Sequence, residues 1–265
     1  MDIENICRKA CEEINGISNF LKAELGKVAT TSIEIKERNH LVSYVDKQSE
    51  QLLIDSLSKI VPEAAFLAEE ATVAHEKKDW QWIIDPLDGT TNFLHSLPFF
   101  SISVALQHQG KTVLGIVHSI MQNELFYSFG QQKAFMNKQR IQVSPTFQLE
   151  DALLATGFPY YDFEHIDAYL AMIKPLMLKT RGLRRFGSAA LDLAYVACGR
   201  FDGYFEYSLS PWDVAAGAFI VQQAGGQVGD FSNGNNFIFG KEIVAGNPNI
   251  YNYLIESTNN FFNKS

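Results

Sequence analysis

The stretch Trp80-Gln81-Trp82-Ile83-Ile84-Asp85-Pro86-Leu87-Asp88-Gly89-Thr90-Thr91-Asn92-Phe93 decides how this chain is read. Its first five residues, aromatic and branched, fit a buried strand, and Pro86, with no amide hydrogen to donate, is expected to stop that strand at Ile84. Two carboxylates, Asp85 and Asp88, then stand at the strand's C-terminal end. Gly89 removes a side chain where a ligand can approach the backbone. Thr90-Thr91 lead into a short helix whose free N–H groups suit an anion. Two acids and an anion cradle repel one another unless cations lie between them. Taken in isolation, D-x-x-D-G also has a plain reading: a hairpin turn at Asp-Gly, with Asp85 as a cap or turn former.

The pattern recurs outward from this stretch. Ala65-Phe66-Leu67-Ala68 is a second apolar strand, and the acidic pair Glu69-Glu70 follows at its end. Downstream, Asp213 stands in Pro211-Trp212-Asp213-Val214-Ala215-Ala216-Gly217, immediately before a helix of small residues; read alone it is a helix N-cap. Oxygen ligands near strand ends, with no convincing His or Cys set, point to a hard cation, Mg²⁺ or Mn²⁺, rather than zinc. Such a cluster beside a phosphate-binding helix start suggests phosphoester hydrolysis, in which one ion activates water and another stabilises the departing oxygen.

The rest of the chain alternates helices and strands. Ile3, Ile6, Cys7, Ala10, Ile14, Ile17 and Leu21 recur at helical spacing, so an amphipathic helix is predicted over residues 2–25, ending near Gly26. The polar stretch 28–39 reads as a loop or hairpin. Ser43 can cap a second helix that carries Leu52, Leu53, Leu57 and Ile60 and stops at Pro62. Residues 64–68, 80–84, 99–107, 110–118, 124–129 and 133–143 read as strands, the last four forming a meander. Helices are predicted over 166–178, 188–197, 214–224 and 248–260, the third stopped by Gly225-Gly226, with strands over 201–207, 226–230 and 242–245. The layout is that of one α/β (α+β) domain over residues 1–265 with mixed or antiparallel sheets, divisible into lobes of about 1–145 and 146–265.

Composition bounds the reading. Of 265 residues, 30 are Asp or Glu and 22 are Lys or Arg, a formal net charge of −8, and 46% are hydrophobic, which excludes disorder, collagen and coiled coil. A protein that targets naked nucleic acid or an anionic membrane normally has surplus Lys and Arg, so neither partner is expected. The segment Met1-Asp2-Ile3-Glu4-Asn5 lacks the basic and apolar regions of a leader, and no run approaches the roughly 18 apolar residues of a membrane span. A soluble cytoplasmic protein is expected. Cys7, Cys11 and Cys198 form no CxxC pair, which supports neither a disulfide framework nor a zinc knuckle; Cys7 and Cys11, on one helix face, read as core packing.

The motifs Asp85-Pro86-Leu87-Asp88-Gly89-Thr90-Thr91-Asn92-Phe93 and Trp212-Asp213-Val214-Ala215-Ala216-Gly217, the latter followed by Gly225-Gly226, resemble those of the inositol monophosphatase family, among the Mg²⁺-dependent, lithium-sensitive phosphatases. Glu69-Glu70, Asp46 in Leu41-Val42-Ser43-Tyr44-Val45-Asp46, Gly187-Ser188-Ala189-Ala190 and Glu206 also fall where that pattern wants them, so the resemblance covers essentially the whole chain. It implies a layered αβαβα sugar-phosphatase fold, usually a homodimer, with two or three Mg²⁺ ions per subunit and a small phosphomonoester as substrate. Glu69, Asp85 and the Leu87 carbonyl would hold a first ion, Asp85, Asp88 and Asp213 a second, and a weaker third would lie near Glu69. Thr90, paired with Asp46, would with Glu69 orient the attacking water, without a covalent enzyme intermediate. Backbone amides around Gly89 and Thr90 would bind the phosphate. Gly187, Ser188, Ala189 and Glu206 would line the alcohol side, with Asp88 and Asp213 also facing substrate.

Two departures accompany the resemblance. Ala68 stands where the family usually has glycine, and His40 stands where related proteins often have an acid, in the loop of Lys36, Glu37, Arg38, Asn39 and His40 that helps hold the water and third metal in the family. Arg184-Arg185 read as structural or subunit-interface residues, since metals already fill a phosphate clamp's role. The expected activity is hydrolysis of inositol 1-phosphate or a similar polyol phosphate. The rivals are a 3'(2'),5'-bisphosphate nucleotidase, a fructose-1,6-bisphosphatase, and a scaffold or regulatory binding protein.

Overall fold

The computed structural model describes residues 1–29, 34–37, 40–72, 76, 78–160 and 162–262, with the side chains of 34–37, 40, 41 and 261 outside the description. In chain order the elements are α1 (Ile3–Glu24), β1 (Glu34–Glu37), β2 (His40–Val42), α2 (Tyr44–Ile60), β3 (Ala65–Ala68), β4 (Trp80–Asp88), α3 (Thr90–Leu94), β5 (Ser101–His108), β6 (Lys111–Ser119) and β7 (Glu124–Phe129). There follow β8 (Phe135–Met136), β9 (Gln139–Arg140), β10 (Leu153–Thr156), α4 (Ile166–Lys179), β11 (Gly182–Arg184), α5 (Ala189–Ala197), β12 (Gly203–Tyr207), α6 (Pro211–Gln223), β13 (Gln227–Gly229), β14 (Glu242–Gly246) and α7 (Pro248–Phe262). Strands β3 to β9 form a seven-stranded sheet in sequence order, parallel between β3 and β4 and antiparallel thereafter. A five-stranded sheet has the order β11-β10-β12-β14-β13, parallel at its first two junctions and antiparallel at the rest.

Alternation in the strands builds the layers. Trp82 and Ile84, Ile102, Val104 and Leu106, and Leu114 and Ile116 face α1 and α2, whose stripe of Ile6, Ala10, Ile14 and Leu21 covers them. Ile83, Ala105 and Val117 face the opposite way, onto α5 and α6. Those two helices also cover one face of the smaller sheet, and α4 and α7 cover its other face through Tyr169, Met172, Ile250 and Leu254. Strands buried on both faces read as near-continuous apolar runs, which is why they were legible. The result is the layered αβαβα arrangement with mixed sheets. Small residues let the middle layer close: a side chain at Gly115 of β6 would meet the Ala216 carbonyl of α6 at 2.7 Å. No helix among the described residues is long and apolar enough to cross a membrane.

Several sequence expectations are corrected. The strand expected to end at Ile84 runs through Pro86 to Asp88. The neighbour β3 stops at Ala68, opposite Ile84, so beyond that point β4 is an edge on that side and the missing proline amide costs no ladder bond. The segment 133–143 is not one strand but the tight hairpin β8–β9, turning at Asn137 and Lys138, both at positive φ. Strands β10 and β11 were not foreseen. Asp213 is not the cap of α6: the helix begins at Pro211 with Ser210 as its N-cap, placing Asp213 at the third helical position. Stretch 28–39 includes β1, which pairs with β2, while Arg38, Asn39 and the side chains of Lys36, Glu37 and His40 lie outside the described residues. Cys7 is buried in the core and Cys11 packs against it.

Candidate functional site

A bulge in β4 creates the site. From Trp80 to Asp85, β4 pairs with β5 in step, and Asp85 lies opposite Ser103; the register then slips, so that Asp88 lies opposite Ser101. Residues three apart on a regular strand point to opposite faces. Ser101 and Ser103, two apart, share a face, and the extra residue in β4 therefore turns Asp85 and Asp88 to the same side. Gly89, at φ +97°, reverses the chain into the first turn of α3. A side chain at Gly89 would also crowd the Phe99 and Gly187 carbonyls at 3.1 and 3.2 Å.

Two further acids, and Asp88 itself, are set by helix starts. Asp46, third residue of α2, accepts from Ser43 N and Ser43 Oγ on its Oδ2, both at 2.8 Å, while its Oδ1 accepts the Thr90 hydroxyl at 2.9 Å. Asp213 repeats the arrangement at α6, its Oδ2 accepting from Ser210 N at 2.7 Å. Asp88 caps a helix from outside it: Ala190 N of α5 and Ser188 Oγ donate to its Oδ2 at 2.8 and 2.6 Å. Each of these carboxylates thus sits where the amides and dipole of a helix N-terminus favour negative charge. The Leu87 amide donates to Asp85 Oδ1 at 2.9 Å.

Asp85, Leu87, Asp88, Ser188, Ser210 and Asp213 line one cleft of ≈ 120 Å³, and Asp46 reaches it through Thr90. Glu69, at the end of β3, lines it with Asp85, Asp88 and Asp213, together with Leu87, Gly89 and Thr90 and with Gly187, Ser188, Ala189 and Glu206. Burial raises the carboxyl of Asp85 well above its usual range, and the charges of Glu69, Asp88 and Asp213 raise it further. Asp213 is raised well above its usual range by burial and then by Glu69 and Asp88. Burial pushes Asp88 up to about 6 against the opposing hydrogen bonds of Ser188 and Ala190. Glu206 is pushed up to about 7, again first by burial.

The donor set suits a hard divalent cation. Several carboxylates and one backbone carbonyl face a cleft whose described lining includes a single basic side chain, Arg185. Buried like charges that raise one another's proton affinity are the condition a cation relieves. Among the described residues no three His, Cys, Asp or Glu side chains are grouped so as to enclose a metal ion as they stand.

In and behind the cleft are residues that sequence reading missed. Arg185, expected to be structural or at a subunit interface, also lines the cleft, donating to the Tyr160 hydroxyl at 3.0 Å with its guanidinium 5.6 Å from that ring's centroid. Arg184, by contrast, is exposed and donates to the Leu183 carbonyl. Fully buried Glu50 of α2 accepts from Glu70 N at 2.7 Å and Thr72 N at 2.8 Å, holding the loop that carries Glu69. Asn92 donates to the carbonyls of Phe99 and Phe186 at 2.6 and 2.7 Å, fastening α3 to the segment that leads into Gly187. Tyr204 donates to Glu206, and a side chain at Gly157 would collide with the Glu206 carboxylate. Only the Ser-x-x-Asp spacing at 43–46 and 210–213 could have been read locally, as a helix-start signature.

Comparison with known proteins agrees with this arrangement. The family model described as "Inositol monophosphatase family" matches residues 2–261. The chain is 43% identical over 221 residues to the "Nus factor SuhB" of Salmonella typhimurium, covering 83% of each chain. It is 39% identical over 238 residues to the "Inositol-1-monophosphatase" of Mesorhizobium japonicum, covering 89% of this chain and 90% of that one. The crystal structure of the extragenic suppressor protein suhB from Bartonella henselae superposes with a TM-score of 0.89 at 40% identity, over 94% of this chain and 96% of that one. With the fold, the acid-lined cleft and these matches in agreement, the chain belongs to the inositol monophosphatase family, within a superfamily of phosphatases.

Proposed function

We propose that the chain is a Mg²⁺-dependent phosphomonoesterase that hydrolyses inositol 1-phosphate or a similar polyol phosphate. The supporting observation is the convergence on one cleft of Glu69, Asp85, Asp88 and Asp213, from three separate parts of the chain, beside the Thr90–Asp46 pair. Glu69, Asp85 and the Leu87 carbonyl would hold one ion, and Asp85, Asp88 and Asp213 a second, with a third near Glu69. When bound, such ions supply positive charge that activates water and stabilises the departing oxygen; Mn²⁺ could substitute.

The chain's own residues position the reactants. Thr90 Oγ1 has one proton to give, and two acceptors compete for it: Asp46 Oδ1 at 2.9 Å and the Leu87 carbonyl at 3.1 Å. Donation to the charged acceptor is the stronger bond, and it leaves a Thr90 lone pair to accept a hydrogen bond from the attacking water. Asp46 is pinned by Ser43 and cannot follow the proton away. Glu69 takes a proton from the same water as its oxygen attacks phosphorus in line with the alcohol oxygen; that P–O bond breaks, the alcohol oxygen leaves and takes a proton from solvent, Glu69 returns its proton to solvent, and no enzyme-bound phosphate forms. First-turn amides around Gly89 and Thr90 hold phosphate oxygens. Glu206 accepts from hydroxyls of the alcohol, which lies against Gly187, Ser188 and Ala189.

A panel of inositol 1-phosphate, fructose 1,6-bisphosphate and adenosine 3',5'-bisphosphate, each with Mg²⁺ and with EDTA, tests this reading. Turnover of inositol 1-phosphate that EDTA abolishes and Mg²⁺ restores is expected; turnover indifferent to EDTA would refute the metal assignment. The Arg185 guanidinium at the cleft favours a second reading, a substrate with a second anionic group, and a hundredfold preference for either bisphosphate would establish it in place of the first. The name Nus factor, borne by relatives such as that of Salmonella typhimurium, keeps a binding role beside catalysis in view. With the family we take the chain to act as a cytoplasmic homodimer, which sedimentation of the purified protein would check.

A further inference from the structure

Ser208 combines three features found together nowhere else among the described residues. Its backbone has φ +67°, in the left-handed region where a Cβ is strained and glycine is at ease. Its Oγ is buried and has no hydrogen-bond partner among the described residues. It lines the cleft, two residues after Glu206 and five before Asp213, and it is the one non-glycine residue of positive φ that does so. Strain and an unsatisfied buried hydroxyl are both destabilising, and both would vanish with glycine.

Local structure gives no reason for the hydroxyl. The segment from β12 to α6 is held through its own backbone amides: Leu209 N donates to the Lys241 carbonyl at 3.1 Å, and Ser210 N to the Asp213 carboxylate at 2.7 Å. A serine that served the fold would bond to the fold. We propose that Ser208 is a specificity-determining residue whose hydroxyl hydrogen-bonds the alcohol portion of the substrate beside Glu206. The inference rests on the reading of the cleft as a polyol phosphate site and sharpens it. When ionised, Glu206 only accepts, and a hydroxyl two residues on can donate; the two match neighbouring hydroxyls of a polyol, one donating a hydrogen bond to Glu206 and the next accepting one from Ser208. A substrate without hydroxyl groups has nothing to offer either residue.

The test compares inositol 1-phosphate with para-nitrophenyl phosphate, which carries the same phosphate and no hydroxyl, in the full chain with Mg²⁺. In Ser208→Gly the ratio of kcat/KM for the two substrates should fall about tenfold toward para-nitrophenyl phosphate, chiefly through KM, as expected for one lost hydrogen bond. The same variant should melt higher than the parent, because the backbone strain and the unsatisfied hydroxyl are both removed. Ser208→Ala keeps the Cβ and its strain, so it should lose the same preference without gaining as much in melting temperature. A parent that prefers inositol 1-phosphate, with both variants retaining that preference, would overturn the Ser208 assignment alone. A parent with no preference for inositol 1-phosphate would overturn the polyol reading and the Ser208 assignment with it.

Discussion

Two regions of the molecule bury ionisable groups, and they resolve the cost differently. One is the cleft of Asp85, Asp88 and Asp213. The other is a groove of ≈ 830 Å³ between α1 and the strands β6 and β7, lined by Cys7, Cys11, His118 and Tyr127. On the buried side of the groove two groups are held neutral: the Cys7 thiol is pushed far up by its bond with Cys11 and by burial, and burial, with help from the Lys22 charge, takes His118 down to about 4. Neutral groups are compatible with a core, and the groove asks for nothing more. In the cleft two tendencies conflict. Burial and mutual repulsion favour protonation, whereas the N-termini of α5 and α6 hold Asp88 and Asp213 by bonds that favour the charged form. A fold that builds helix starts around repelling carboxylates is arranged for cations, and a fold that lets its groups go neutral is arranged for packing.

The strongest way to break this contrast is Asp213→Asn. The amide preserves the helix-start bond from Ser210 but removes one of the repelling charges. We expect kcat/KM to fall about a thousandfold, the scale of losing a principal electrostatic contributor to the transition state. Mg²⁺ should raise the melting temperature of the parent and do so much less in the variant, while without metal the variant should be at least as stable as the parent. A metal-free variant that melts markedly lower would refute the repulsion account.

The groove predicts the opposite kind of effect, on stability and not on rate. His118 titrates near 6.5 when unfolded and at about 4 in the fold. The unfolded chain therefore binds the extra proton first, and the stability present above pH 6.5 is lost as pH falls toward 4, by roughly 3 kcal/mol in all. His118→Leu, which keeps the site apolar, should flatten that part of the pH profile in urea unfolding. An unchanged acid limb would show that His118 is protonated in the folded protein.

Within the cleft, Thr90 separates positioning from charge. Thr90→Ala leaves every acid in place and removes only the hydroxyl between Asp46 and the water, so kcat should fall about a hundredfold with KM little altered. A rise in KM at constant kcat would make Thr90 a binding residue instead. The sequence carried this pair only through resemblance, since Asp46 and Thr90 lie 44 positions apart. What local sequence did carry was the alternation of Trp82, Ile83 and Ile84 and the small residues of α6, because burial on two faces leaves an apolar run that needs no partner to be recognised. The bulge was not legible. Pro86 reads locally as a stop, and only the register of β5, set by Ser101 and Ser103, turns Asp85 and Asp88 to one side. Glu50, Arg185 and Ser208 escaped for the same reason: their roles depend on partners or backbone angles that no spacing rule encodes. Strands β10 and β11, four and three residues long, exist through pairing across the smaller sheet more than through their own sequence.

The smallest effect belongs to the thiol at the groove's edge. Cys11 is half-buried and packs against the core. Truncating Cys11 to alanine removes one sulfur from a site that neighbouring side chains can partly refill, so urea unfolding should register no more than about 1 kcal/mol. The rate is the more discriminating readout. The groove lies on the α1 face of the seven-stranded sheet, whereas α5 and α6, which carry Asp213 and bond Asp88, pack on the other face. A rigid, doubly buried sheet separates the two, so kcat and the Mg²⁺ dependence of Cys11→Ala should match the parent. A tenfold fall in kcat with stability intact would mean that strain passes through the sheet from groove to cleft, and the two regions would then have to be treated as one coupled system.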